Sequence, residues 1–239
     1  MSEALARVWS DVTSRQPLPA TALVLGTGAV ALVLVLWPAT WPRVRVGTTI
    51  VHEAGHALVA VLVGRRLQGV RVHADTSGVT LSRGRPTGPG MVATLLAGYF
   101  APAGLGLGAA LLLADGRALL LLWALVALLL LLLVWVRNGY GLVVVLLVGA
   151  ATALVTWYAD ARTQSAAALL VAWLMLLAAP RPLVELLLAG RSGRRGSDPD
   201  QLARLTRVPA VLWVLLLLAA SLAGLVVGVT TLAPDLVHR

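Results

Sequence analysis

Cysteine is absent from the 239 residues. The chain therefore has no disulfide framework, and no thiolate is available to a metal. Any transition-metal site has to draw on His, Asp or Glu. Lysine is absent too, so all 19 basic residues are arginine. Acidic residues are scarce, with 10 Asp and Glu together, and there are only 4 His. Charged residues make up 12% of the chain and hydrophobic residues 59%, whereas a soluble domain carries roughly a quarter charged residues. A soluble globular protein is excluded on this balance, and an integral membrane protein is indicated. The formal net charge of +9 would suit a nucleic-acid partner in a soluble chain. Here the arginines sit in short segments between apolar runs, where they set topology and meet anionic headgroups. The bilayer, and not nucleic acid, is the expected partner.

What is present is a succession of apolar runs: Thr21–Trp37, Val46–Val63, then 91–113, 118–136, 140–158, 165–189 and 209–232. They predict an all-α integral membrane protein of about seven transmembrane helices. Residues 1–19 read as a polar N-terminal tail, 20–233 as one membrane domain and 234–239 as a C-terminal tail. The first run lacks a small-residue cleavage site and is read as an uncleaved span. The run 118–136 is nearly all Leu and reads as lipid-facing. Small residues crowd 91–113 (Gly98, Ala101, Gly104, Gly106, Gly108), which predicts close helix packing or a bend at Pro102. The run from 165 carries Pro180-Arg181-Pro182 and Glu185, so it ends near Ala179 or continues along the interface.

Two segments break this pattern. In 64–89, Val70, Val72, Val79 and Leu81 alternate with polar residues around Asp75-Thr76-Ser77-Gly78, a β-hairpin signal. Arg65, Arg66, Arg71, Arg83 and Arg85 flank it, and it reads equally as a solvated basic loop or as a strand that guides a substrate. Residues 190–209 form the most polar segment. Seven spans with an inside N-terminus would put the N-tail, 64–89, Arg137 and Arg181–Arg207 inside. Arg43, Arg45, Arg117, Arg162 and Arg239 would then lie outside. The positive-inside bias favours that arrangement, with a cytoplasmic hairpin and an outside C-terminus.

Chemistry concentrates in His52-Glu53-Ala54-Gly55-His56. On a helix, residues four apart share a face, so two imidazoles can meet one zinc ion. Glu53, next to the first of them, is within reach of a metal-bound water as general base. Three ionisable groups within five residues of a span candidate are costly in lipid unless they line a polar site. A catalytic zinc usually has three protein ligands. His73 and His238 lie outside the apolar runs, and Asp75, Asp115, Asp160 and Asp235 sit in turns or the tail. Asp198 and Asp200 remain, either of which can fold inward, and Asp198 suits helix capping as well. With the histidines near mid-span, that segment has to dip about 12 Å below the membrane boundary, or the bilayer has to thin there. Arg137-Asn138-Gly139-Tyr140-Gly141 marks another polar break, in which Asn138 is either a turn residue or a substrate contact.

Taken together, these features resemble the site-2 protease family of intramembrane zinc metalloproteases, in its small bacterial branch. The resemblance rests on His52–His56 within a span, Gly64-Arg65-Arg66 with the Val-rich hairpin, Arg137-Asn138 with Gly141, and Ser197-Asp198 before the last run. It covers roughly residues 46–215. The family's later Asp, usually in Leu-Asp-Gly, maps onto Asp198 by its Ser-Asp context, with Asp200 second; this chain has no Leu-Asp-Gly. The resemblance implies a plasma-membrane zinc endopeptidase with Glu53 as general base and a membrane-protein substrate. No PDZ-like insertion is present, so selection of substrate falls to the membrane domain. Two other classes fit the residues: a non-catalytic metal-binding membrane protein, and a metal or small-molecule transporter.

Overall fold

The structure, a computed structural model, describes residues 3–234. It is helical apart from one hairpin. The first helices are α1 (Glu3–Thr13), α2 (Thr21–Leu36) and α3 (Trp41–Leu62), followed by strands β1 (Arg66–Val72) and β2 (Gly78–Arg83). Then come α4 (Pro89–Ala114), α5 (Ala118–Trp135), α6 (Gly139–Tyr158), α7 (Ala161–Ala178) and α8 (Arg181–Leu188). The single turn α9 (Gly190–Gly193), α10 (Asp198–Thr206) and α11 (Ala210–Leu232) complete it.

The expected seven spans become fewer. Five helical segments are long and apolar enough to cross a membrane: α4, α5, α6, α7 continued through α8, and α11. Helices α2 and α3 meet at 100° and count together as at most one more. The physical reasons are local. Sixteen residues of α2 extend about 24 Å, short of a hydrocarbon core of about 30 Å. Helix α3 carries Arg43, Arg45, His52, Glu53 and His56, too much charge for an apolar span. Pro38 and Pro42 bracket the turn between them. The alternation of sides inferred from seven spans therefore no longer follows from the helix count.

Helices α4 and α7 form the interior. On α7, Ala168, Leu169, Ala172 and Leu176 are fully buried, and Trp173 Nε1 donates to the Val24 carbonyl at 3.0 Å. Leu176 fits against Gly106 of α4 and Gly228 of α11, so α4 packs closely at Gly98 and Gly106, while Gly104 and Gly108 face open space. Helix α5 is not lipid-facing throughout. Its first half is largely buried (Leu119, Leu121, Leu122, Leu125), and the exposed large side chains, Leu128, Leu130, Leu131 and Val134, lie beyond it. The N-terminal segment is likewise more than a polar tail. It forms α1, docked by Trp123 Nε1 donating to Asp11 at 3.1 Å and by Arg7 lying 4.5 Å from the Trp157 ring. The C-terminal tail, with Asp235, His238 and Arg239, lies outside the described residues.

The predicted hairpin forms, antiparallel, with a bulge between Leu67 and Gly69. One face is packed, and the other, with Arg66, Arg71, Val79, Leu81 and Arg83, is exposed. Val70 and Val72 are fully buried, Val70 bridges Val136, and Arg137 N–H donates to the Val70 carbonyl at 2.9 Å. The alternation that marks a strand thus buries one face against the α5–α6 turn. On the other side, the hairpin runs beside α3. At the far end, α8 is tied to α3 through Glu185, which accepts from Trp41 Nε1 at 2.8 Å and from Arg45 at 2.9 Å.

Candidate metal centre

The site begins with two residues one helical turn apart. His52 and His56 project from the same face of α3, their rings perpendicular and 4.5 Å apart. Their Nε2 atoms lie 3.0 Å from each other. On the far side of the His56 ring, Nδ1 is 2.6 Å from the Thr94 carbonyl. A carbonyl only accepts, so Nδ1 carries a proton, and in the neutral ring Nε2 is the nitrogen with a lone pair for a metal.

The third group arrives from α10. Asp198 Oδ2 is 3.1 Å from His52 Nε2 and 3.2 Å from His56 Nε2. Among the described residues, these three side chains form the group able to hold a metal ion, with one ligand atom from each within 4.8 Å of the others. The edges of that triangle suit a small tetrahedral ion: ligands about 2.0–2.1 Å from zinc lie about 3.3 Å apart. Two imidazole nitrogens and one carboxylate oxygen are also the donor chemistry that zinc accepts, so the residues fit the ion. Burial pushes the Asp198 carboxyl up, but the hydrogen bonds and charge of His52 and His56 outweigh it and hold the group well below the usual carboxylate range.

How α10 frees Asp198 is visible in its first turn. Ser197 is the N-cap and its side chain accepts from Asp200 N–H. Capping is thus done by the residue before Asp198, whose carboxylate turns toward α3. Pro199 and Leu202 are buried and seat the helix. Asp200 points elsewhere, accepting from Gly196 N–H at 2.8 Å and pairing with Arg204 at 2.9 Å. The structure brings Asp198, not Asp200, to the histidines.

Glycines set the spacing. A Cβ on Gly98 of α4 would lie 2.6 Å from His52 Cε1, and one on Gly55 would lie 2.6 Å from the Ala97 carbonyl oxygen. Both helices come together only because neither position has a side chain. Tyr99, next to Gly98, sets its ring edge against His52 with centroids 4.7 Å apart.

Glu53 is buried and faces the hairpin. Its Oε2 accepts from Thr80 Oγ1 of β2 at 2.6 Å, and Gly78 leaves the space that its carboxylate fills. A cavity of about 410 Å³ joins these parts, lined among others by Arg45, His52, Glu53, Thr80, Tyr99 and Asp198. The two polar segments of the sequence, the hairpin and the stretch around Ser197, both open onto it.

Asn138 lies elsewhere. Its Nδ2 donates to the Val72 carbonyl at 2.6 Å and its Oδ1 accepts from Val72 N–H at 3.2 Å. Both ends of the amide are engaged by β1, and Asn138 does not line the cavity. It clamps the hairpin, a role that neither reading of the polar break anticipated. His73 contacts Ser77 in the hairpin turn. Thr80, Thr94, Gly98 and Tyr99 went unremarked or unassigned in the sequence. Gly98 had a signal in the small-residue run, and Thr80 in the polar positions between Val79 and Leu81. Thr94 and Tyr99 had none.

Comparison with known proteins adds one finding. A family model described as Peptidase M50B-like matches residues 25–228. No curated protein and no solved structure matches the chain.

Proposed function

The chain belongs to the Peptidase M50B-like family, which is the site-2 protease family, and from that premise we propose that it is an intramembrane zinc metalloprotease. On this reading it hydrolyses peptide bonds in or near the transmembrane segments of other membrane proteins. The observation that supports it most is the meeting of His52 Nε2, His56 Nε2 and Asp198 Oδ2 in one cavity with a buried Glu53. A transport path would need the ligands but not a carboxylate beside them, so Glu53 favours hydrolysis over transport or mere metal storage.

His52, His56 and Asp198 would hold the ion, two from α3 and one from α10. When bound, zinc supplies Lewis-acid polarisation of water and of a peptide carbonyl. Glu53 takes the proton of the attacking water and delivers it to the leaving amine. Thr80 donates to one Glu53 oxygen and so fixes the carboxylate's direction. Thr94 holds the His56 tautomer through its carbonyl. Gly98 keeps α4 close enough to shelter the site from lipid.

Substrate has to arrive unwound, because an intact transmembrane helix satisfies its own carbonyls. Strand β2 pairs with β1 on one side only, and Gly78, Val79, Thr80 and Ser82 line the cavity. A peptide in extended form can add along that free edge by main-chain hydrogen bonds, which places its carbonyls next to Glu53. This is the substrate-guiding reading of the hairpin.

The test uses zinc-loaded protein in phosphatidylcholine nanodiscs and a fluorophore–quencher peptide containing one apolar membrane segment. Cleavage is expected to stop when a chelator removes zinc and to return when zinc is restored. Cleavage that continues in protein shown by elemental analysis to be zinc-free would sink the proposal. The arginine-rich segments 64–89 and 181–207 also favour a cytoplasmic site. A reporter active only in the cytoplasm, inserted after Arg195, is expected to be active, and silence there would reverse the orientation.

A further inference from the structure

Hydroxyl groups are plentiful around the cavity, and nearly all those on its helices are occupied. Thr48 donates to the Arg45 carbonyl, Thr49 to the Thr76 carbonyl, Thr94 to the Gly90 carbonyl and Ser197 to the Arg194 carbonyl. From the hairpin, Thr80 donates to Glu53, and Arg45 is held by Glu185. Tyr99 differs. It lines the cavity, yet its hydroxyl makes no hydrogen bond to any described residue.

The ring that carries this hydroxyl is fixed. One edge meets His52 at a centroid distance of 4.7 Å, and the body packs against Leu183 of α8 and Val214 and Leu217 of α11. Half-buried tyrosines normally find a partner for the O–H. Because Tyr99 lines the cavity, a peptide lying there meets a donor that no described residue holds. Peptide hydrolysis needs a donor at this kind of place, because negative charge grows on the carbonyl oxygen as water adds to its carbon. Preorganised donors aimed at that oxygen are commonly a large part of catalysis.

Building on the hydrolytic reading above, we propose that Tyr99 is a catalytic residue whose hydroxyl donates a hydrogen bond to the scissile carbonyl oxygen of the bound peptide. The step balances without any proton leaving the phenol. The water oxygen bonds to the carbonyl carbon, Glu53 carries the water's proton to the amine, and the C–N bond breaks. Tyr99 lends its hydrogen bond while the oxygen is charged and keeps its proton throughout.

Tyr99→Phe preserves every ring contact and removes only the donor. In the nanodisc cleavage assay, kcat is expected to fall about 10²-fold, with KM changed less than twofold. Zinc content should remain that of the unaltered protein. Once the cut in the probe peptide has been mapped, a phosphinic analogue replacing that bond, which mimics the charged tetrahedral oxygen, should bind about 10²-fold more weakly to Tyr99→Phe. The unmodified peptide should bind Glu53→Gln and Glu53→Gln/Tyr99→Phe equally well. A Tyr99→Phe protein with unchanged kcat would overturn the assignment. So would loss of zinc in that variant, since Tyr99 would then only position His52. If the unaltered protein and Glu53→Gln are equally active or equally inactive, the hydrolytic reading itself fails, and this one with it. If only Glu53→Gln is dead, the hydrolytic reading stands and Tyr99 alone is withdrawn.

Discussion

Glu53→Gln is expected to leave zinc and fold in place while cleavage falls by about 10² to 10⁴, the usual loss when an acid–base group is removed. The amide nearly matches the carboxylate in shape, so the packing against Gly78 is kept. Its oxygen can still accept from Thr80, which donates to Glu53 at 2.6 Å. Removing a charge from a buried position leaves no unpaired ion behind. Because Glu53 is not among the three grouped ligand atoms, the metal has no reason to leave. The measurement is cleavage of the single-segment peptide, set beside zinc content and thermal unfolding. A variant that cuts at the full rate would remove Glu53 from the chemistry and return weight to binding or transport.

Asp198→Ala is expected to weaken zinc binding by well over 10²-fold, while Asp200→Ala stays within a few-fold of the unaltered protein. Loss of a group that merely hydrogen-bonds a ligand typically costs about 10–100-fold in metal affinity. A direct ligand should exceed that. Asp198 supplies the oxygen that closes the triangle with both Nε2 atoms, whereas Asp200 serves Gly196 and an exposed pairing with Arg204. An exposed pair of that kind contributes at most about 1 kcal/mol, so Asp200→Ala should loosen the start of α10 slightly and no more. Competition against a chromophoric chelator reads both affinities. Equal, undiminished affinities would place the third ligand elsewhere.

The sequence carried the histidine pair openly, because spacing on a helix decides which face a residue takes and little else can intervene. The residues by themselves did not separate Asp198 from Asp200, and only the Ser-Asp resemblance ranked Asp198 first. Both lie in the first turn of one short helix, and the outcome depends on which residue takes the cap. Ser197 takes it, with Pro199 and Leu202 buried in the same turn and the next. The hairpin was legible from alternation, but its docking on Val136 and Asn138 was not, since those contacts join residues some 66 positions apart. The count of apolar runs exceeds the five to six span candidates because a run records hydrophobicity and not direction. The 100° turn between α2 and α3 leaves those two runs as at most one span. Tyr99 had no local mark at all. An aromatic residue in an apolar helix looks the same whether it meets lipid or a histidine.

Elemental analysis of the purified protein tests the proposed metal site between α3 and α10 most directly. Protein prepared without chelators is expected to hold about one zinc per chain, as a single two-histidine, one-carboxylate site should. The His52→Ala/His56→Ala protein should hold none, with its helical circular dichroism unchanged. Full zinc retained by that double variant would contradict the site, and with it the assignment of Glu53, Asp198 and Tyr99 around it.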